Sequence, residues 1–205
     1  MKSKRKGFTL VELIIVLTII GILSAIVIPS WGYFMRRSRE RTANSKAKVV
    51  FNAAQTEITR TAQRERTTVN VSDPVYHSDT TVKDNANKSL YVGTGDFYFY
   101  WDGDKQSGYS IDKNGNSTAT TKKNENTKFA NAVNNICGTE GTYKIYVHNY
   151  AVQSVVYSTK SNGQYKGTYP KLMGADQLTD ATEKDIRSHS VETISLADMK
   201  GIALP

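Results

Sequence analysis

Lys6-Gly7-Phe8-Thr9-Leu10-Val11-Glu12-Leu13 opens an apolar stretch that runs on to Ile28 and holds a single carboxylate, Glu12. The 21 positions from Phe8 to Ile28 span roughly 32 Å as a helix, against about 30 Å for a bilayer core. Leu, Ile and Val fill nearly all of it, interrupted mildly by Thr9, Thr18, Gly21 and Ser24. The segment is long enough to cross a membrane. An ionised carboxylate in hydrocarbon costs a few kcal/mol even on permissive scales, so Glu12 needs a partner.

Nothing within the helix neutralises Glu12, because the nearest basic side chains, Arg5 and Lys6, lie on the far side of Gly7. A cut after Gly7 would create an α-amino group at Phe8, one helical turn away, that a neighbouring copy can offer to this carboxylate. Gly7-Phe8-Thr9-Leu10-Val11-Glu12, followed by an apolar helix and Pro29, resembles the class III signal of type IV prepilins and pseudopilins. The resemblance implies cleavage between Gly7 and Phe8 by a membrane prepilin peptidase, N-methylation of Phe8, and assembly roles for Glu12 and Pro29. It covers residues 4–30 in detail and implies a pilin fold.

Two plainer readings explain less. A secretory signal peptide accounts for Lys2, Lys4, Arg5 and Lys6, but its apolar region is about 7–15 residues and carries no acid near its start. A simple single-pass anchor accounts for the length but not for Gly7 or Glu12. Orientation is not fixed by charge, since Arg36, Arg37, Arg39 and Arg41 on the far side match the four basic residues of the leader. The resemblance implies leader inside and globular part outside.

The 205 residues carry a formal charge of +8, of which the leader holds four, leaving 8 − 4 = +4 for the processed chain. After the anchor, enough chain remains for one modest globular domain of about 130–150 residues. Its organisation reads as leader 1–7, transmembrane and filament-core helix 8–28, amphipathic continuation 29–66 and globular domain 67–205. Cys137 is the single cysteine, so no intrachain disulfide exists, unlike the pilins that staple a C-terminal loop. This leaves the stabilisation of that region unexplained and sits more naturally with a Gram-positive source. Cys137 itself reads as a small core residue near a helix end.

Pro29 removes one ladder bond and can kink the helix without ending it. The composition stays helical to about Arg66, with Ala47, Phe51, Ala54, Ile58 and Ala62 on one face. Opposite them Arg36, Arg37, Arg39, Arg41, Lys46, Lys48 and Arg60 read as a solvated face, with membrane headgroups, neighbouring subunits or nucleic acid as rival contacts. Residues 67–89 read as a long connection with one short strand near Val75-Tyr76.

Strand signals follow at Leu90–Val92, Phe97–Trp101 and Tyr109–Ile111, with turns at Asp102-Gly103 and Asn114-Gly115. Lys128–Cys137 reads as a helix ended by Gly138, with Phe129, Val133 and Ile136 on its apolar face. Strands Thr142–His148 and Ala151–Ser158 come next, then a turn at Asn162-Gly163 leading to Tyr165. Thr182–Arg187 reads as helical and Val191–Leu196 as extended. The fold class is α+β, a long N-terminal helix whose outer half packs on an antiparallel sheet.

Catalysis is not indicated. His77, His148 and His189 are scattered, and no phosphate-cradling Gly-rich loop with Lys-Ser/Thr occurs. No cofactor is implied. Two stretches offer alternating oxygen ligands for calcium: Asp102 with Asp104, and Asp112 with Asn114 and Asn116. Neither has the glycine at the sixth loop position, Lys123 stands where the second needs its bidentate Glu, and exposed turns explain both. Of the twelve tyrosines, Tyr143, Tyr146, Tyr150, Tyr157, Tyr165 and Tyr169 read mainly as cross-strand packing, with base stacking as the rival.

The sequence therefore points to a structural subunit of a type IV pilus or pilus-like filament, anchored once in a bacterial membrane and then extracellular. The alternative is a minor pilin, or a pseudopilin of type II secretion or DNA uptake, in the last case binding DNA. Its partners would be other copies and related pilins, the peptidase, a membrane assembly platform with its ATPase, and lipid before assembly, with nucleic acid as the rival partner.

Overall fold

The computed structural model describes residues 9–67, 92, 95–120 and 125–205, with backbone alone at 26–30, 64–67 and 125. The leader, Phe8, the connection expected over 67–89 apart from Thr67, which ends the first helix, the strand near Val75-Tyr76 and residues 90 and 91 lie outside the described residues. Helix α1 spans Leu10–Thr67, matching the expected helical length. The chain divides into two units, Met1–Ser38 and Arg39–Pro205. Among the described residues no helix is long and apolar enough to cross a membrane. The apolar side chains described end at Ala25, short of the Ile28 that closes the run in the sequence.

In the second unit six antiparallel strands form one sheet in the order β3-β2-β1-β4-β5-β6. They are β1 Asp96–Asp102, β2 Ser107–Ile111, β3 Ser117–Ala119, β4 Thr142–His148, β5 Ala151–Ser158 and β6 Lys166–Tyr169. The pattern that builds them is alternation: Phe97, Phe99, Trp101, Tyr143, Ile145 and Val147 point to one face, while Tyr98, Tyr146 and Val156 point to the other. A register shift at Tyr146/Val147 passes over Gln153 on β5, which is why Val152 and Val155 share a face.

The first face packs on α1 through Ala43, Ala47, Val50, Ala53, Ala54 and Ile58, and on helix α2, Glu125–Cys137. The expected α1 stripe is right at Ala47, Ala54 and Ile58, while Phe51 and Ala62 are only half-buried and Val50 is fully buried. On α2 the buried apolar positions are Phe129, Ala130, Val133 and Cys137, whereas Ile136 is exposed, contrary to its expected place on the apolar face. Gly138, with φ at 94°, ends α2 by donating its N–H to the Asn134 carbonyl at 2.8 Å. Cys137 is buried and free, and burial pushes its thiol pKa up.

The second face is covered by the C-terminal residues, including α3, Asp180–Ser188, and α4, Leu196–Ile202. The extended reading of Val191–Leu196 is overturned: no strand forms there, and Leu196 begins α4. Ser195 caps that helix, accepting from the Asp198 N–H at 3.1 Å. Val191, Ile194, Met199 and Ile202 are buried.

Lysines hold this disulfide-free region. Lys144 on β4 donates to the carbonyls of Glu192 and Ile194, both at 2.7 Å. Lys166 donates to the Arg187 carbonyl at 3.2 Å and Lys171 to the Gly201 carbonyl at 3.0 Å. Each ammonium satisfies backbone oxygens that no strand or helix ladder reaches. Arg187 on α3 completes the attachment through ion pairs with Glu183 and with the buried Glu40 on α1.

Candidate functional site: the start of helix α1

Helix α1 begins with a reciprocal cap. Thr9 lies before the first helical residue and its Oγ1 accepts from the Glu12 N–H at 3.3 Å. Glu12 Oε2 in turn accepts from the Thr9 N–H at 2.8 Å and from the Thr9 hydroxyl at 2.7 Å. This is the capping box that a Thr followed three residues later by a Glu encodes, a signal overlooked in reading the sequence for charge alone. The hydrogen-bonding demand of Glu12 is met inside its own helix, but its charge is not, because Thr9 is neutral. Thr18 returns its hydroxyl to the Ile14 carbonyl at 2.8 Å, so its polarity is also absorbed by the helix.

Around this cap every large apolar side chain from Leu10 to Leu23 is exposed, Leu10 at 73%. Gly7 and Phe8 lie outside the described residues. Pro29 falls within α1, with its backbone helical and its side chain not described. The structure therefore brings Thr9 and Glu12 together at the head of an apolar rod that nothing in the first unit covers among the described residues.

The other candidates have local employment. Asp102 Oδ1 accepts from the N–H groups of Asp104 and Lys105 at 3.0 and 3.2 Å, and its Oδ2 faces Lys105 Nζ at 3.4 Å. Asp112 Oδ1 accepts from the N–H groups of Asn114 and Asn116 at 2.9 and 2.8 Å, and its Oδ2 from Asn116 Nδ2 at 3.0 Å. Both carboxylates cap turns. No group of three or more His, Cys, Asp or Glu able to hold a metal occurs among the described residues. His148 Nδ1 meets Asp96 at 2.8 Å and His189 Nδ1 meets the Asp185 carbonyl at 2.8 Å, while His77 is outside the described residues.

The basic face of α1 is less uniformly solvated than its sequence suggests. Arg39 lies over the Tyr165 ring at 5.1 Å, Lys48 over Tyr169 at 5.8 Å, and Lys46 donates to the Cys137 carbonyl at 3.3 Å. Arg60 pairs with Glu57 at 2.6 Å. Tyr146 packs across strands as expected, stacking on its register partner Tyr98 at 5.0 Å, and Tyr100 likewise meets Tyr109 at 5.2 Å.

Comparison with known proteins bears on the head of α1. The prokaryotic N-terminal methylation motif matches residues 2–28. Over this segment the chain is similar to type IV pilins. The type IV major pilin protein PilA of Myxococcus xanthus is 46% identical over 50 residues, 24% of this chain and 23% of that protein. The type IV major fimbrial protein FimA of Dichelobacter nodosus is 59% identical over 39 residues, 19% of this chain and 25% of that protein. The matches thus span about a quarter of each relative's length, and no solved structure gives a significant match. In this chain, the motif match and the exposed apolar surface coincide over the first part of α1.

Proposed function

We propose that this chain is a structural subunit of a type IV pilus or pilus-like filament, anchored in the membrane by residues 8–28 and polymerised through that helix. The observation that carries the reading is the continuous exposed apolar surface from Leu10 to Leu23, on the same chain as a sheet-bearing unit with its own buried core. A patch of that extent is stable in hydrocarbon or against other helices, and not in water. Lipid supplies the first environment and neighbouring copies of the helix supply the second.

Cleavage after Gly7 places a terminal amine at Phe8, and the Glu12 charge, unpaired within its own helix, takes the amine of an adjacent subunit. The methylation motif over residues 2–28 supports processing at this position. Sheared surface fibres from the native host, analysed by mass spectrometry, should give a mature chain beginning at methylated Phe8. An assembled filament whose subunits begin at Met1 is incompatible with the proposal. Abundance of the chain in those fibres assigns it to the major subunit, and trace amounts to a minor pilin or pseudopilin.

A further inference from the structure

We infer that Trp31, Tyr33, Phe34, Arg36 and Arg37 form a collar that seats the helix in the headgroup layer of a bilayer containing anionic phospholipid. The inference rests on the membrane-anchored stage proposed above. Trp31, Tyr33 and Phe34 are exposed at 61, 66 and 65%, an unusual expense of aromatic surface on a helix.

Axial position is the first argument. Trp31 to Phe34 lie three to six residues past Ile28, about 5–9 Å beyond the end of the apolar run. The polar interface occupies the 5–8 Å outside the hydrocarbon on each side, the depth at which Trp and Tyr concentrate. Arg37 folds back one turn toward this layer, donating from Nη1 to the Tyr33 hydroxyl at 2.7 Å, with its guanidinium carbon 6.0 Å from the ring centre. The aromatic and cationic groups thus sit at one depth.

Distribution round the helix is the second argument. At about 100° per residue the five side chains cover all but about 140° of the circumference. A helix that docks on one protein partner presents a stripe about 100° wide, whereas a lipid interface surrounds the rod. Charge is the third. No acidic residue occurs between Glu12 and Glu40, so this stretch of the helix is net positive, the sign an anionic surface attracts.

The full chain, reconstituted in phosphatidylcholine vesicles with and without phosphatidylglycerol, provides the test. Subtracting the emission of a Trp31→Phe variant isolates Trp31 from the core residue Trp101. Trp31 should be blue-shifted, shielded from aqueous iodide, and quenched more by a shallow lipid label than by a mid-chain one. Energy transfer from Trp31 to dansyl-labelled phosphatidylglycerol should exceed transfer to the labelled phosphatidylcholine, by up to about fivefold per arginine. That excess should vanish in Arg36→Gln/Arg37→Gln and in high salt. Trp31 open to iodide while residues 10–25 stay protected from proteinase K in the same vesicles overturns the collar and leaves the anchor standing. Loss of that protection overturns both. Shielding of Trp31 that appears only as copies associate assigns the surface to a second copy and also overturns the collar.

Discussion

Asn44 on α1 serves Thr168 on β6 as a neighbouring strand would, its Oδ1 accepting the Thr168 backbone N–H at 2.8 Å. The same oxygen accepts from the Met173 N–H at 3.3 Å, and Nδ2 donates to the Met173 carbonyl at 3.0 Å. One buried side chain thus closes the last edge of the sheet and the loop beyond it. Asn44→Ala strands three buried backbone groups. It should destabilise the second unit by about 2–4 kcal/mol, read as a lowered denaturant midpoint with unchanged slope. A loss within 0.5 kcal/mol, the usual range for a surface site, would contradict this role.

The neighbouring residue sets how closely the sheet can approach the helix. A Cβ on Gly167 would overlap the Ala43 carbonyl and the Asn44 amide, both backbone and unable to swing aside. Gly167→Ala should therefore lift β6 from α1 and cost about 3 kcal/mol. Amide exchange at residues 166–169 should rise in parallel. Retention of wild-type stability and exchange would show that the contact is looser than described.

Asp96 makes stability sensitive to acid. Burial works against its ionisation but is outweighed by hydrogen bonds from Lys200, His148 and Tyr146, which bring its pKa down to about 2. The folded state holds this proton less tightly than the unfolded chain, so the contribution is complete above pH 3.8 and is lost as pH falls through about 2. The side chain is 29% exposed, and solvent screening reduces the effect to on the order of 1 kcal/mol. Asp96→Asn should flatten the stability profile between pH 4 and 2. An identical acid limb in the variant would dismiss the assignment.

Lys144 acts at the alkaline end with the opposite sign. Burial lowers its pKa, with Glu192 opposing, so the folded protein releases this proton before the unfolded chain does. Stability then rises with pH up to 10.5, the unfolded lysine value. Tyr146, pushed up to about 12 by burial and by its bond to Asp96, reverses the trend above pH 10. Lys144→Met should reduce the rise, leaving the part due to Lys166, whose pKa burial also lowers, and should strand the Glu192 and Ile194 carbonyls, speeding amide exchange over 191–199. An unchanged rise would place its origin elsewhere.

Long-period signals were legible in the sequence because they repeat. The 58-residue helix, both central hairpins and the Asn162-Gly163 turn follow from apolar spacing and turn dipeptides. What escaped was local or tertiary in origin. β3 has three residues, of which Ser117 and Ala119 are exposed, and no hydrophobic pattern marks it. α4 was misread because Val191 and Ile194 favour strand, although Ser195 and Asp198 already encode a helix start. Ile136 fits the helical period of α2, but the sheet offers its surface to Ala130 and Cys137 instead. The lysine attachments of the C-terminal region depend on contacts 21–50 positions apart, beyond the reach of any periodicity. At the functional end, charge reasoning found Glu12 and missed Thr9, because the cap satisfies hydrogen bonds rather than charge.

The cap gives a way to separate two properties of Glu12. Gln at this position keeps a capping box, since its side-chain oxygen accepts the Thr9 N–H, but carries no charge. Thr9→Ala removes the two hydroxyl bonds of the cap and leaves the charge and the backbone bond to Glu12, costing about 1 kcal/mol at the helix end. Ala in place of Glu12 removes the charge and the carboxylate half of the cap, leaving Thr9 Oγ1 on the backbone N–H of residue 12. If charge pairing with an incoming amine orders the filament, Glu12→Gln and Glu12→Ala should both enter the membrane and both fail to polymerise, while Thr9→Ala still assembles at reduced yield. If the cap is what matters, Glu12→Gln should assemble and Thr9→Ala should fail as completely as Glu12→Ala. Fibre yield from sheared cells, measured against the membrane-bound pool of each variant, separates the two, and filaments at normal yield from Glu12→Gln would refute the electrostatic role.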